Sequence, residues 1–202
     1  DDPNPLLAFG LSSDAKKGWF FALEPPSDTA SQPRPTPIVL TEASREPENP
    51  ELGSLFSPYP VGESALLVKG GELEFEVSIT NILRGADAMN FIKRANQFND
   101  PPPPGFEFVV VKANVHYTGK EAGVLELTEE YWNIVTQGRV FDRTNKPSSP
   151  CCLKPPFEIS LLSGGEAEGY MAWPIHQDDP NPLLVFGLSS GGDKGWFFSL
   201  TE

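Results

Sequence analysis

The chain is poor in the residues that most often carry chemistry: of its 202 residues, two are cysteine and two histidine. The cysteines are neighbours, Cys151 and Cys152, in the loop Lys146-Pro147-Ser148-Ser149-Pro150-Cys151-Cys152. Adjacent cysteines cannot staple two separate strands; they stay as thiols, close a small strained ring or take a redox or metal role, and thiols are the expected state. With His116 and His176 as the only histidines, no zinc-site spacing is present. A Gly-x-Ser-x-Gly elbow is missing too, and both histidines sit in strand-like surroundings, so no set of nucleophile, base and oxyanion donors can be assembled. The expectation is a protein that is not an enzyme and needs no cofactor.

Long apolar runs are also absent; none approaches the roughly 20 residues of a spanning helix, so no membrane span is expected. Positive charge is scarce, with 15 Lys and Arg against 28 Asp and Glu and a net charge of −13. Such a surface repels phosphate-bearing partners, which argues against nucleic acid and anionic membranes. The first residues carry no basic and apolar signal segment, so any export signal is expected upstream or already removed.

What the chain does have is turn material and aromatics: 22 prolines, 18 glycines and 14 phenylalanines. That mixture suits short strands joined by many turns. A hydrophobic content of 39% is enough for one β-sandwich and some extra segment, while two full domains would be cramped.

An internal repeat decides the organisation. Asp1-Asp2-Pro3-Asn4-Pro5-Leu6-Leu7-Ala8-Phe9-Gly10-Leu11-Ser12-Ser13 returns as Asp178-Asp179-Pro180-Asn181-Pro182-Leu183-Leu184-Val185-Phe186-Gly187-Leu188-Ser189-Ser190. Without a gap, Gly18-Trp19-Phe20-Phe21 returns as Gly195-Trp196-Phe197-Phe198. Residues 1–24 are therefore expected to be the last strand pair of a preceding repeat. Residues 25–56, rich in Pro and Glu, read as an extended linker in which only Ile38-Val39-Leu40 hints at an edge strand. Residues 57–202 read as one complete domain.

Within that domain Leu73, Phe75, Val77 and Ile79 alternate with Glu72, Glu74, Glu76 and Ser78, the period of a half-buried strand with a solvated acidic face. Ala88, Phe91, Ile92, Ala95 and Phe98 recur at helical spacing, giving a short helix over 86–98 that the prolines at 101–104 end and that is expected to plug one end of the sandwich. Residues 106–117 form the best central strand, with Val109, Val111, Ala113, Val115 and Tyr117 on one face. Further strands are expected near 124–127, 132–135, 139–141, 157–162, 168–175, 183–188 and 196–200, with Gly-rich turns at 163–165 and 191–192. This is the pattern of an all-β, two-sheet antiparallel sandwich with one short helix.

Ala95-Asn96-Gln97-Phe98-Asn99, a Pro run, Gly105-Phe106-Glu107-Phe108-Val109-Val110-Val111, then Leu161-Leu162-Ser163-Gly164-Gly165-Glu166-Ala167-Glu168-Gly169-Tyr170, and finally Asn181-Pro182-Leu183-Leu184-Val185-Phe186 follow one another in order. Together they resemble a family of uncharacterised extracellular bacterial domains, often found in predicted lipoproteins. That family is similar to a small secreted mycobacterial antigen with an immunoglobulin-like sandwich. The resemblance covers most of residues 57–202 and implies an exported, immunoglobulin-like fold; the family brings no catalytic residues.

Three function classes follow. The leading one is a non-catalytic cell-surface interaction or spacer module in a tandem-domain exported protein, its protein or cell-envelope partner unnamed. The alternative is a binding module for carbohydrate, peptide or calcium. Tyr131, Trp132, Tyr170 and Trp173 are its candidate aromatic platform. Asp178, Asp179 and Asn181 are its candidate calcium oxygens, although Asp, Asn and Pro are also ordinary turn formers. An enzyme is the third and weakest class. Leu6, Leu7, Phe9, Trp19, Phe20 and Phe21 repeat the alternation of the C-terminal strands and are candidates for strand pairing with a neighbouring molecule.

Overall fold

The computed structural model describes residues 6–9, 19–22, 50–69, 73–119, 123–188 and 195–201. The chain divides into two compact units, Asp1–Ser44 and Arg45–Glu202. In the first, β1 (Leu6–Phe9) and β2 (Trp19–Ala22) form an antiparallel pair. The suggested edge strand at 38–40, the linker up to residue 49 and the turn at 191–192 lie outside the described residues.

The second unit holds β3 (Ser64–Lys69), β4 (Leu73–Arg84), α1 (Gly85–Ala95), β5 (Phe106–Tyr117), β6 (Leu125–Thr128), β7 (Trp132–Thr136), β8 (Arg139–Phe141), β9 (Glu158–Leu161), β10 (Glu166–His176), β11 (Leu183–Phe186) and β12 (Trp196–Ser199). One four-stranded antiparallel sheet runs β10-β5-β4-β3, a second runs β12-β11-β7-β8, and β6 pairs with β9. The described residues are mostly β-strand, with a single α-helix and one 3-10 turn at Glu129–Tyr131. Strand β3 is absent from the sequence reading because its apolar run Ala65-Leu66-Leu67-Val68 shows no alternation, yet only Ala65 and Leu67 are buried while Leu66 faces solvent.

The two large sheets enclose one shared core. β5, central in its sheet, directs Val109, Val111, Ala113, Val115 and Tyr117 into it, as its period-two pattern requires. Phe75 of β4 meets Phe186 of β11 edge-on at 5.5 Å, joining one sheet to the other. Trp132 of β7 packs against Phe157, Phe186 and Phe198. Rings in such tilted and edge-on contacts add roughly 1 kcal/mol per pair beyond the area they bury.

The helix does not plug an end between the sheets. Ala88 and Ile92 pack on Phe108, Val110 and Ala172, residues on the outer side of β5 and β10. This explains why the outer face of β5 opens apolar with Phe108 and Val110, then turns polar at Lys112, Asn114 and His116: the helix covers the first part alone. The helix ends at Ala95, so Phe98 is not on its buried face but 80% exposed.

The outer edge of β12 is also covered. Phe197 N–H donates to Gly53 O, and Tyr59 N–H to Phe197 O, so residues 53–59 lie alongside β12. Gly53 has φ +85° and an added Cβ would meet the Tyr59 ring at 2.4 Å, so glycine is required at that crossing.

Candidate functional site

The residues singled out from the sequence separate by burial. Trp132 and Trp173 are both 0% exposed and belong to the core, so they cannot form a surface platform. Tyr131 is 37% exposed, and Tyr170 is half-buried. Tyr131 carries Lys69 Nζ over its ring at 4.3 Å, whereas Tyr170 stacks on Phe91 of the helix at 4.8 Å. The four aromatics therefore do not make one surface.

The Asp-Asp-Pro-Asn turn is a structural lock. Asp178 and Asn181 are exposed, while Asp179 is 7% exposed and its carboxylate accepts from Gln137 N–H at 2.7 Å and from Asn181 N–H at 2.9 Å. Arg84 donates to Asp179 O at 3.0 Å and to Glu107 Oε1 at 2.7 Å. One end of the fold is thus tied across β4, β5, the β7–β8 turn and the segment leading into β11. Burial alone pushes the Asp179 carboxyl up. The Thr136 hydroxyl, the N–H groups of Asn181 and Gln137 and the Arg84 charge outweigh it and hold the group below its ordinary range. The Asp179 carboxylate serves the turn, and among the described residues no three His, Cys, Asp or Glu side chains converge as metal ligands.

The strand-pairing candidates are described as backbone only. β1 and β2 pair as Leu6 with Ala22 and Phe9 with Trp19. β11 and β12 pair as Leu183 with Ser199 and Phe186 with Trp196. Each of these residues is the repeat counterpart of the other, so the two hairpins share one register. In the second unit β11 is also bonded to β7, with Leu183 opposite Val135 and Phe186 opposite Trp132.

The sequence reading did not place a cleft at the cysteine loop. It has a volume of about 390 Å³ and is lined by Glu129, Arg143, Cys151, Cys152, Glu158 and Tyr170, among others. Contrary to expectation, the two cysteines are bonded to each other as a vicinal disulfide, and both are exposed. Two anchors hold the loop. At its start the Lys146 side chain is 3% exposed, with its Nζ 4.4 Å from the Trp173 ring centre and 3.4 Å from Glu129. A cation so placed gains from the ring and from the carboxylate together. At its centre the buried Asn99 side chain donates to Cys151 O at 3.1 Å and accepts from Cys151 N–H at 2.9 Å, while its amide also donates to Ile92 O at 3.1 Å in the helix. The sequence signal was there, an Asn-rich helix end and a Lys before Pro-Ser-Ser-Pro, but only folding brings positions 96–99 and 146–152 together.

No known family profile matches the chain, and no curated protein matches it. Two solved structures are similar in outline. The YjhA protein of Bacillus subtilis is 10% identical with a TM-score of 0.39, covering 70% of this chain and 98% of its own. The YcdA candidate lipoprotein of Bacillus subtilis is 13% identical with a TM-score of 0.41, covering 62% of this chain and 35% of its own. This chain thus spans about a third of YcdA's length. Likeness at this level carries no argument about fold or function.

Proposed function

We propose that the second unit is an immunoglobulin-like, non-catalytic interaction and spacer module of an exported bacterial protein that carries it in tandem. The observation behind this reading is the repeated hairpin: β1–β2 and β11–β12 share both sequence and register. Duplication of a domain's closing strands at the far side of a Pro-rich stretch is the signature of repeated modules strung on spacers. The vicinal disulfide supports a place outside the reducing cytosol. The family resemblance of residues 57–202 supports the fold and the export.

In this reading the first hairpin is a surrogate for β11–β12. It offers the same backbone register to β7 of another copy, which makes strand exchange between copies the mode of self-association. Light scattering with size exclusion tests it on the full chain and on one beginning at Arg45. A concentration-dependent dimer of the full chain only is the expected result. Two monomers refute hairpin exchange and leave the spacer role alone. A second reading, a module binding a small polar ligand, is favoured by the cleft beside Tyr170 and the cysteine pair.

A further inference from the structure

We infer that Cys151–Cys152 is a reversible thiol–disulfide site that exchanges with dithiols, with Asn96 as the group that favours the Cys151 thiolate. Three observations converge on it. Both cysteines are exposed and line a cleft open to solvent, so a small dithiol can reach the pair. Asn96 Nδ2 lies 3.2 Å from Cys151 Sγ and 3.8 Å from Cys152 Sγ, an amide donor nearer to one sulfur of the pair than to the other. The Asn99 side chain grips the Cys151 backbone at both N–H and C=O, so the ring opens on a fixed base.

The asymmetry sets the direction of exchange. A dithiol's thiolate attacks Cys152 Sγ, the Cys151–Cys152 bond breaks, and its electron pair goes to Cys151 Sγ, where the Asn96 amide stabilises the charge. A donor to the departing sulfur lowers its proton affinity and makes it the better leaving group. The second thiol of the dithiol then attacks its own sulfur in the mixed disulfide and releases Cys152. Two electrons and two protons pass to the protein, leaving two cysteine thiols and an oxidised, cyclic dithiol. Because the cysteines are neighbours, the reduced thiols stay within reach of each other and an oxidised dithiol drives the reverse reaction.

The test is the rate of reduction of the folded full chain by dithiothreitol, read as free thiols by mass after alkylation. Asn96 Oδ1 also accepts from Phe98 N–H at 3.0 Å. Asn96→Asp preserves that contact and the side-chain shape while replacing the donor with a negative oxygen. It is expected to slow reduction about tenfold, and Asn96→Ala about threefold, since the departing thiolate loses its donor in both. Near-UV circular dichroism shows whether each variant keeps its fold, and either variant alone decides the matter. Equal rates in wild type and the folded variants overturn the role of Asn96. Two alkylatable thiols in the air-oxidised wild type, or reduction that occurs only in denaturant, overturn the site itself. Recovery of the disulfide by oxidised dithiothreitol, with the fold retained throughout, is the expected outcome.

Discussion

Replacing Asp179 is the sharpest test of how the fold holds together. The residue is 7% exposed, and its carboxylate takes two backbone N–H groups, from Gln137 and Asn181. Hydrogen bonds to a charged acceptor contribute about 1.5–3 kcal/mol each, but they share one anion and do not add. Asp179→Ala orphans these donors, and a total loss of about 3 kcal/mol is expected. With a urea slope of about 2 kcal/mol/M, the unfolding midpoint should fall by about 1.5 M with the slope unchanged. Asp179→Asn retains one acceptor but turns an NH₂ toward a donor, and should lose about 2 kcal/mol. Asp178→Ala, at an exposed position, should stay within about 0.5 kcal/mol of wild type. The pH dependence has a fixed sign. The folded carboxyl is held below its ordinary value, so its contribution is complete above the unfolded pKa of about 4 and is lost as the pH falls through the lower folded value. The gap between wild type and Asp179→Ala therefore narrows in acid. A loss under about 0.5 kcal/mol at neutral pH would refute the lock. So would a midpoint that about 1 mM calcium raises in wild type but not in Asp179→Ala, which would return these oxygens to an ion.

Other outcomes follow from single contacts. Ala8 stands where the second unit has the fully buried Val185, so the first hairpin is the poorer occupant by two methyl-sized groups, about 1.5 kcal/mol; Ala8→Val should raise the dimerisation constant of the full chain about tenfold by light scattering, and no change argues against exchange. A Cβ on Gly169 would lie 2.7 Å from Phe157 Cα and from Pro156 O, both backbone atoms, so Gly169→Ala should lose about 2 kcal/mol or more in thermal unfolding. Gln137 and Gly138 turn the β7–β8 hairpin with φ of +48° and +71°, a turn that favours Asn-Gly. Gln137→Asn should therefore stabilise by about 0.5 kcal/mol in urea unfolding, and a loss of stability would show that the Gln side chain matters.

The strand pattern was legible because burial on a pleated surface imposes a period of two. β5 and β8 fall at the residues that pattern marks, and most other strands differ only at their ends. Where local pattern and burial part company, the sequence misleads. β3 hides in an unbroken apolar run, and the helix takes an outer sheet face that the sequence could not distinguish from an end of the sandwich. Trp132 and Trp173 illustrate the same limit, since an aromatic in a strand points to core or solvent according to register and to what stands opposite. Asp178, Asp179 and Asn181 read first as turn formers and second as oxygen ligands, and only the fold shows Gln137 and Arg84 beside Asp179.

By itself, then, the sequence determined the all-β character, the single helix and the repeated hairpin, because strand alternation, turn chemistry and duplication are all properties of neighbours along the chain. Tertiary structure decided which aromatics are core, what the Asp179 carboxylate holds, and that Asn96 and Asn99 meet the cysteine pair. Those contacts join residues about 50 positions or more apart in one case and about 40 in the other. Such pairings depend on how the sheets close over one another, and no local pattern encodes them.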